Sequence, residues 1–425
     1  MPNIKEEMIN LNPWWKGEFK LSFKDREIYR KIQKFIPLPQ IIALTGLRRV
    51  GKTTILFKLA EDAINQGLDP KNILYFSFDE FKAIEIKKIV SEYEELFGKN
   101  LRNGKFLFLF DEIQKLDDWE NQLKAFYDVY GKNAKIIISG SESLFIKKKS
   151  KETLAGRLFE FKVEPLSFKE FLNFKQLKFE PVELYERELK EQFKEFTLTY
   201  GFPELVGIKD KEIIKKYVVE SIVEKVIYKD IPSLMKVKDI SIIASLLNTI
   251  MEEPGQLAEV SEFANNLKIS RYTTASYLRY LEDSFLIRKL YNFSRSRRKV
   301  ERKLKKYYPT IISPSLLFRN DELSQSKVFE WMIVNQLRAE FFWRDAYKNE
   351  VDIILLNEQP TPIEVKYGKI EFEGLSTFME KFNVKRGYIV SLDTEEKKNI
   401  GEKAVDVIPA FKFLLRQSTE IYDQE

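Results

Sequence analysis

The chain has 425 residues, 44% hydrophobic and 32% charged, a composition that describes a globular protein. It carries 71 Lys and Arg against 65 Asp and Glu, a net charge of +6 that is small for this length, so only local basic clusters can argue for nucleic acid. With no Cys and no His, the sequence excludes disulfides, thiolate or imidazole zinc sites, Ser-His-Asp and Cys-His catalysis, and histidine-based nucleases; any metal must be held by oxygen, which favours Mg2+.

In chain order, Lys5, Glu6 and Glu7 stand where a signal peptide needs an apolar core, and no apolar run is long enough for a membrane span. The expectation is a cytoplasmic protein without membrane contact. Asn12-Pro13-Trp14-Trp15 looks like an aromatic anchor packing an N-terminal arm. The apolar run Ile41–Leu44 predicts a buried strand, and a helical pattern over Lys52–Gln66 stops at Gly67.

Between them lies Gly46-Leu47-Arg48-Arg49-Val50-Gly51-Lys52-Thr53-Thr54, which fits the phosphate-loop pattern G-x-x-x-x-G-K-[ST]. Glycines let backbone N–H groups approach phosphate oxygens without an intervening Cβ. The following helix N-terminus adds partial positive charge. Lys52 is the cation for the β- and γ-phosphates, and the Thr53 hydroxyl can ligate Mg2+.

Strand Ile73–Phe78 and a polar helix over about 82–97 follow. The run Phe106-Leu107-Phe108-Leu109-Phe110 predicts a strand buried on both faces, ending in Asp111 and Glu112. Helix Trp119–Tyr130 and strand Lys135–Ser139 continue the alternation, which implies a parallel α/β sheet with ligands at the strand C-termini. Asp111 is then expected in the Mg2+ shell, and Glu112 as the residue that orients and deprotonates the attacking water. Ser139 or Ser141 can sense the γ-phosphate or simply make the turn. Arg157, before strand Leu158–Val163, can act on a neighbour's nucleotide within a homo-oligomer or serve as a salt-bridge partner; the sequence leaves both open.

The stretches Gly46–Thr54, Phe106–Gln114, Ile138–Ser143 and Leu154–Phe171 together resemble the prokaryotic, largely archaeal, AAA-type ATPases with a winged helix and a nuclease-like C-terminal domain. The resemblance implies ATP and Mg2+ as cofactors. It implies that Asp111 and Glu112 form the second nucleotide motif, that Ser139 or Ser141 is the sensor, and that Arg157 is the finger. Tyr200-Gly201-Phe202-Pro203 matches the family's lid motif only in part, and no nucleotide role is assigned there.

Residues 164–235, rich in Glu, Lys, Phe and Leu, read as helices forming a lid. Beyond them, helix 238–252 ends at Pro254-Gly255, helix Leu257–Asn266 turns at Lys268-Ile269, and Ser270 caps a helix bearing Arg271, Tyr272 and Arg279. Strands Phe285–Phe293 and Lys303–Ile311 complete a helix-turn-helix with a wing. The tip holds Arg295, Arg297, Arg298, Lys299, Arg302, Lys303, Lys305 and Lys306 against Glu301, which suits phosphate contacts to DNA, a solvated hairpin, or contact with the chain's own ATPase domain.

Helix Val328–Leu337 places Glu330 among apolar residues, where a carboxylate needs a partner or a metal. Strand Val351–Leu356 carries Asp352. The period of two over Ile363-Glu364-Val365-Lys366 puts Glu364 and Lys366 on one face, and a hairpin can bring Asp352 to it. That grouping resembles the PD-(D/E)xK nuclease core. By the resemblance Asp352 and Glu364 bind Mg2+, Glu330 joins them, and Lys366 orients water.

The fold expected is α/β. It has a P-loop NTPase core of AAA type over 1–163 with the N-terminal arm, a helical lid over 164–235, a winged helix-turn-helix over 236–311, and a restriction-endonuclease-like α/β domain over 312–425. The function expected is a Mg2+-dependent ATPase, DNA-associated, whose nucleotide state controls the winged-helix and nuclease-like module. The alternative is a nucleotide switch acting through protein partners without cutting.

Overall fold

A computed structural model describes residues 4–79, 81, 84–141, 153–235, 237–296, 298, 300 and 304–420. The chain divides into two compact units, Met1–Pro165 and Leu166–Glu425.

In the first unit, strands β1 (Ile41–Thr45), β2 (Ile73–Ser77), β3 (Phe106–Asp111), β4 (Ala134–Gly140) and β5 (Leu158–Lys162) form a parallel sheet in the order β2-β3-β4-β1-β5. Every residue of β1 and β3 is buried, as unbroken apolar runs require when helices cover both faces. Those covers include the helices Lys52–Asn65, Ile86–Phe97 and Trp119–Tyr130. Phe76, Phe108, Phe110, Trp119 and Phe126 pack into one core, each worth about 1.5–3 kcal/mol or more of burial. The phosphate-loop sequence leaves β1, and Asp111 ends β3, so both stand at the carboxyl edge of the sheet, where α/β folds hold ligands.

The N-terminal arm is packed. Both indole N–H groups of Trp14 and Trp15 donate to the Ile73 carbonyl, at 3.2 and 2.8 Å. The Asn12 amide accepts from Tyr75 N at 2.6 Å and donates to Tyr75 O at 2.8 Å. Since β2 is a sheet edge, this single side chain satisfies backbone groups that would otherwise template another strand.

In the second unit the helices Phe168–Phe174, Glu186–Leu198 and Lys211–Val218 precede helix Ile240–Glu252, strand β6 (Gln256–Ala258), helices Val260–Leu267 and Arg271–Asp283, and strands β7 (Ile287–Asn292) and β8 (Lys305–Pro309). Leu257 is a strand residue paired with Lys306, not the start of a helix. Gly255, at φ +79°, turns the chain, and its N–H donates to the Tyr307 carbonyl at 2.9 Å, which feeds an extended segment. The Ser270 cap forms as expected, its hydroxyl accepting from Thr273 N at 3.1 Å.

Helix Glu322–Gln336, strands β9 (Phe341–Arg344), β10 (Glu350–Leu356) and β11 (Pro360–Lys366), helix Glu373–Phe382, strands β12 (Arg386–Ser391), β13 (Glu396–Ile400) and β14 (Lys403–Pro409), and helix Ala410–Glu420 follow. β10 and β11 form the anticipated antiparallel hairpin, with Ile353 opposite Ile363. β7 and β9 pair in parallel, Tyr291 opposite Phe341, so the antiparallel β6-β8-β7 group and the C-terminal strands make one nine-stranded sheet, β13-β14-β12-β11-β10-β9-β7-β8-β6. The boundary expected between 311 and 312 runs through that sheet.

Candidate functional site

The loop after β1 is shaped by three left-handed residues: Gly46 at φ +143°, Arg49 at +64° and Gly51 at +98°. Gly51 is the residue before the helix Lys52–Asn65 and leads into its N-terminus. A Cβ on Gly46 would lie 2.2 Å from the Val163 carbonyl oxygen, so its lack of a side chain is demanded by the chain following β5 as well as by any phosphate. Leu47 and Val50 are buried and fix the loop, Arg48 is half-buried and Arg49 exposed.

Lys52 is buried. Its ammonium donates to the carbonyls of Gly46 at 2.9 Å and Leu47 at 3.0 Å, so the cation is held inside the curve of the loop. The Thr53 hydroxyl donates to Asp111 Oδ2 at 2.7 Å, while Thr54 faces solvent. Asp111, nearly buried, also accepts from Tyr75 Oη at 2.9 Å and from the Ser139 hydroxyl. Burial and the neighbouring Asp111 charge push the Tyr75 phenol well above its ordinary pKa, so it stays a donor.

Glu112 adopts φ +51°, an uncommon conformation for a non-glycine residue and one that concentrates at functional sites. Its Oε2 accepts from Gln114 Nε2 at 2.6 Å and from the Ser141 hydroxyl at 3.2 Å. Gln114 Nε2 also donates to Ser141 at 3.1 Å. The two serines thus serve different acids, Ser139 bonding to Asp111 and Ser141 to Glu112. Arg157 Nε donates to Asp128 Oδ1 at 3.0 Å, within its own chain and partly exposed.

Three residues bear on this site that sequence reasoning did not single out: Tyr75, Gln114 and Arg26. Tyr75 shares a face of β2 with Ser77, which lies opposite Asp111, and that parity was the available signal. Gln114 stands two residues beyond Glu112. Arg26, from before the first strand, donates to Val50 O at 2.9 Å and Glu164 O at 2.8 Å, bracing the loop from behind; nothing local in the sequence marks it.

The residues fit a magnesium nucleotide. A glycine-lined backbone curve holds an ammonium, and two hard oxygen groups, Thr53 and Asp111, touch beside it.

The second unit brings Glu330, Asp352, Glu364 and Lys366 together. Lys366 Nζ lies 2.8 Å from Glu364 Oε1, and Asp352 Oδ2 accepts from Val365 N at 2.9 Å. Lys306 of β8, read as a surface phosphate contact, is instead buried. Its ammonium lies 2.6 Å from Glu350 and 3.6 Å from both Glu330 and Asp352. Burial works against that charge, and the acids around it outweigh the effect, so its pKa stands well above the ordinary value. Burial, then the charges of Glu364 and Glu330, raise the Asp352 pKa strongly. Tyr308 donates to Glu330. Among the described residues, no group of three or more Asp or Glu is set to hold a metal ion. Of the basic tip, Arg297, Lys299, Arg302 and Lys303, with Glu301, lie outside the described residues; Arg295 and Arg298 are exposed. No helix among the described residues is long and apolar enough to cross a membrane.

Residues 38–172 match the family model of an AAA domain; residues 190–310 and 326–413 match two domains of unknown function. An uncharacterized protein of Methanocaldococcus jannaschii is 29% identical over 376 residues, covering 82% of this chain and 79% of its own. An uncharacterized protein of Haemophilus influenzae is 30% identical over 272 residues, covering 62% of this chain and 66% of its own. Among solved structures, the Saccharomyces cerevisiae Hsp104–ADP complex aligns at 15% identity over 79% of this chain and 45% of that one, with a TM-score of 0.32. The chain therefore carries an AAA-type ATPase domain in its N-terminal part.

Proposed function

We propose that the chain is a Mg2+-dependent ATP hydrolase of the cytosol whose nucleotide state governs a DNA-associated module in its second unit. The observation that carries the reading is the Thr53–Asp111 contact at 2.7 Å, set beside Glu112 in the grip of Gln114 and Ser141. In this reading Gly46 through Thr54 enclose the phosphates and Lys52 leaves its carbonyl partners for the β- and γ-phosphate oxygens. Thr53 and Asp111 hold the ion, which neutralises phosphate charge when bound. Glu112, held by two donors on one oxygen, keeps its other oxygen for water. Phosphate release measured with and without Mg2+ tests it; turnover unaffected by Lys52→Ala would sink it.

The module reading rests on the order helix, strand, helix, helix, strand, strand over 240–309, which is that of a winged helix-turn-helix. The capped helix Arg271–Asp283 exposes Arg271, Tyr272 and Arg279. Binding to duplex DNA that weakens steeply with salt is expected. A second reading, a switch that signals through protein partners and never cuts, is favoured by the placement of Lys306 among the C-terminal acids. Binding to duplex DNA, measured with and without ATP, separates the two: the first reading requires it and the second does not.

A further inference from the structure

The acid cluster of the second unit looks at first like an oxygen-lined metal site, but its centre is taken. Along β8 the period of two sends Lys306 and Tyr308 to one face and Lys305 to the other, where it lies over the Tyr291 ring. Both inward residues enter the cluster: Tyr308 meets Glu330, and the Lys306 ammonium contacts Glu350, Glu330 and Asp352. A lysine only 5% exposed is tolerated because carboxylates surround its ammonium.

We propose that Lys306 is the resident cation of this cluster and excludes a divalent metal from it, so the C-terminal fold is held in a state that does not cut. A dication brought to Asp352 and Glu330 would share those oxygens with a buried positive charge a few ångströms away, in a region where like charges repel strongly. Lys366 is likewise committed: its ammonium pairs with Glu364 rather than standing ready for water. Glu330, Glu350, Asp352 and Glu364 thus face Lys306, Lys366 and the Arg344 that pairs with Glu350. The buried Glu364 Oε2, without a hydrogen-bond partner, is an oxygen that an ion would gain as a ligand once Lys306 is gone.

The test is Mn2+ binding to the full chain by electron paramagnetic resonance, without nucleotide, so the result does not depend on the ATPase reading. Wild type and Asp352→Asn are expected to bind Mn2+ alike. Lys306→Ala is expected to gain a site roughly tenfold tighter or more, in the range that a single neighbouring group shifts metal affinity, and Lys306→Ala/Asp352→Asn is expected to lose it. A Mn2+ site in wild type that disappears in Asp352→Asn overturns the proposal. So does a folded Lys306→Ala that gains nothing. Lys306→Gln, which removes the charge and keeps the length, provides the same readout if the alanine variant does not fold.

Discussion

Replacing Gly46 by alanine probes the local architecture of the phosphate loop. The added Cβ would sit 2.2 Å from the Val163 carbonyl oxygen and 3.2 Å from its carbon, in a residue held at φ +143°. Ordinary contact is restored only if the loop and the end of β5 part by roughly 1 Å, a gap at which packing energy falls sharply. That movement breaks the bond from Val163 N to Thr45 O, now 2.7 Å. One backbone hydrogen bond contributes about 1 kcal/mol, and a forced left-handed alanine costs about 1–3 kcal/mol. Together they predict a loss of about 2–4 kcal/mol. For a domain of this size, that lowers the melting temperature by roughly 5–15 °C. Calorimetric melting of the two proteins, with ATP affinity measured on each, checks it. If Gly46→Ala melts with wild type yet fails to bind ATP, the glycine answers to the phosphate alone and the argument from β5 is wrong.

Lys52→Ala should abolish ATP binding in titration calorimetry. Glu112→Gln should leave binding intact and slow phosphate release by about 100- to 10,000-fold, the usual worth of a general base; turnover within a few-fold of wild type would remove Glu112 from that role. Lys135 gives a pH signature. Its ammonium donates to the carbonyls of Phe35, Leu38 and Gln40, and burial pushes its pKa down to about 8 from 10.5. Between those values the unfolded chain keeps a proton the native chain has shed, so stability should rise with pH across that window, by on the order of 1 kcal/mol or more. Urea midpoints should lose that slope in Lys135→Met; equal slopes would contradict it. On duplex DNA, Arg271→Ala or Arg279→Ala should reduce the slope of log affinity against log salt by about 0.9 for each phosphate that the arginine neutralises, and an unchanged slope would take that helix off the DNA.

The sequence by itself determined whatever depends on neighbours along the chain. A phosphate loop is one contiguous stretch because consecutive N–H groups must face one anion, so Gly46 through Thr54 were readable, as were Asp111 and Glu112 at the end of an unbroken apolar strand. The Glu364–Lys366 face followed from the period of two. Tertiary structure decided the rest, because it rests on pairings between residues far apart in the chain. Arg26 reaches Val50 and Glu164, Tyr75 reaches Asp111 across a strand pair, and Asn12 closes the edge of β2. Lys306 is the sharpest case. In a run of basic residues it reads as solvent-facing. It is buried because β8 pairs with β7, and β7 pairs in turn with β9, bringing β8 to the same sheet as Glu350, Asp352 and Glu364, while Glu330 comes from the helix Glu322–Gln336. Only that fold supplies enough negative charge to keep an ammonium out of water.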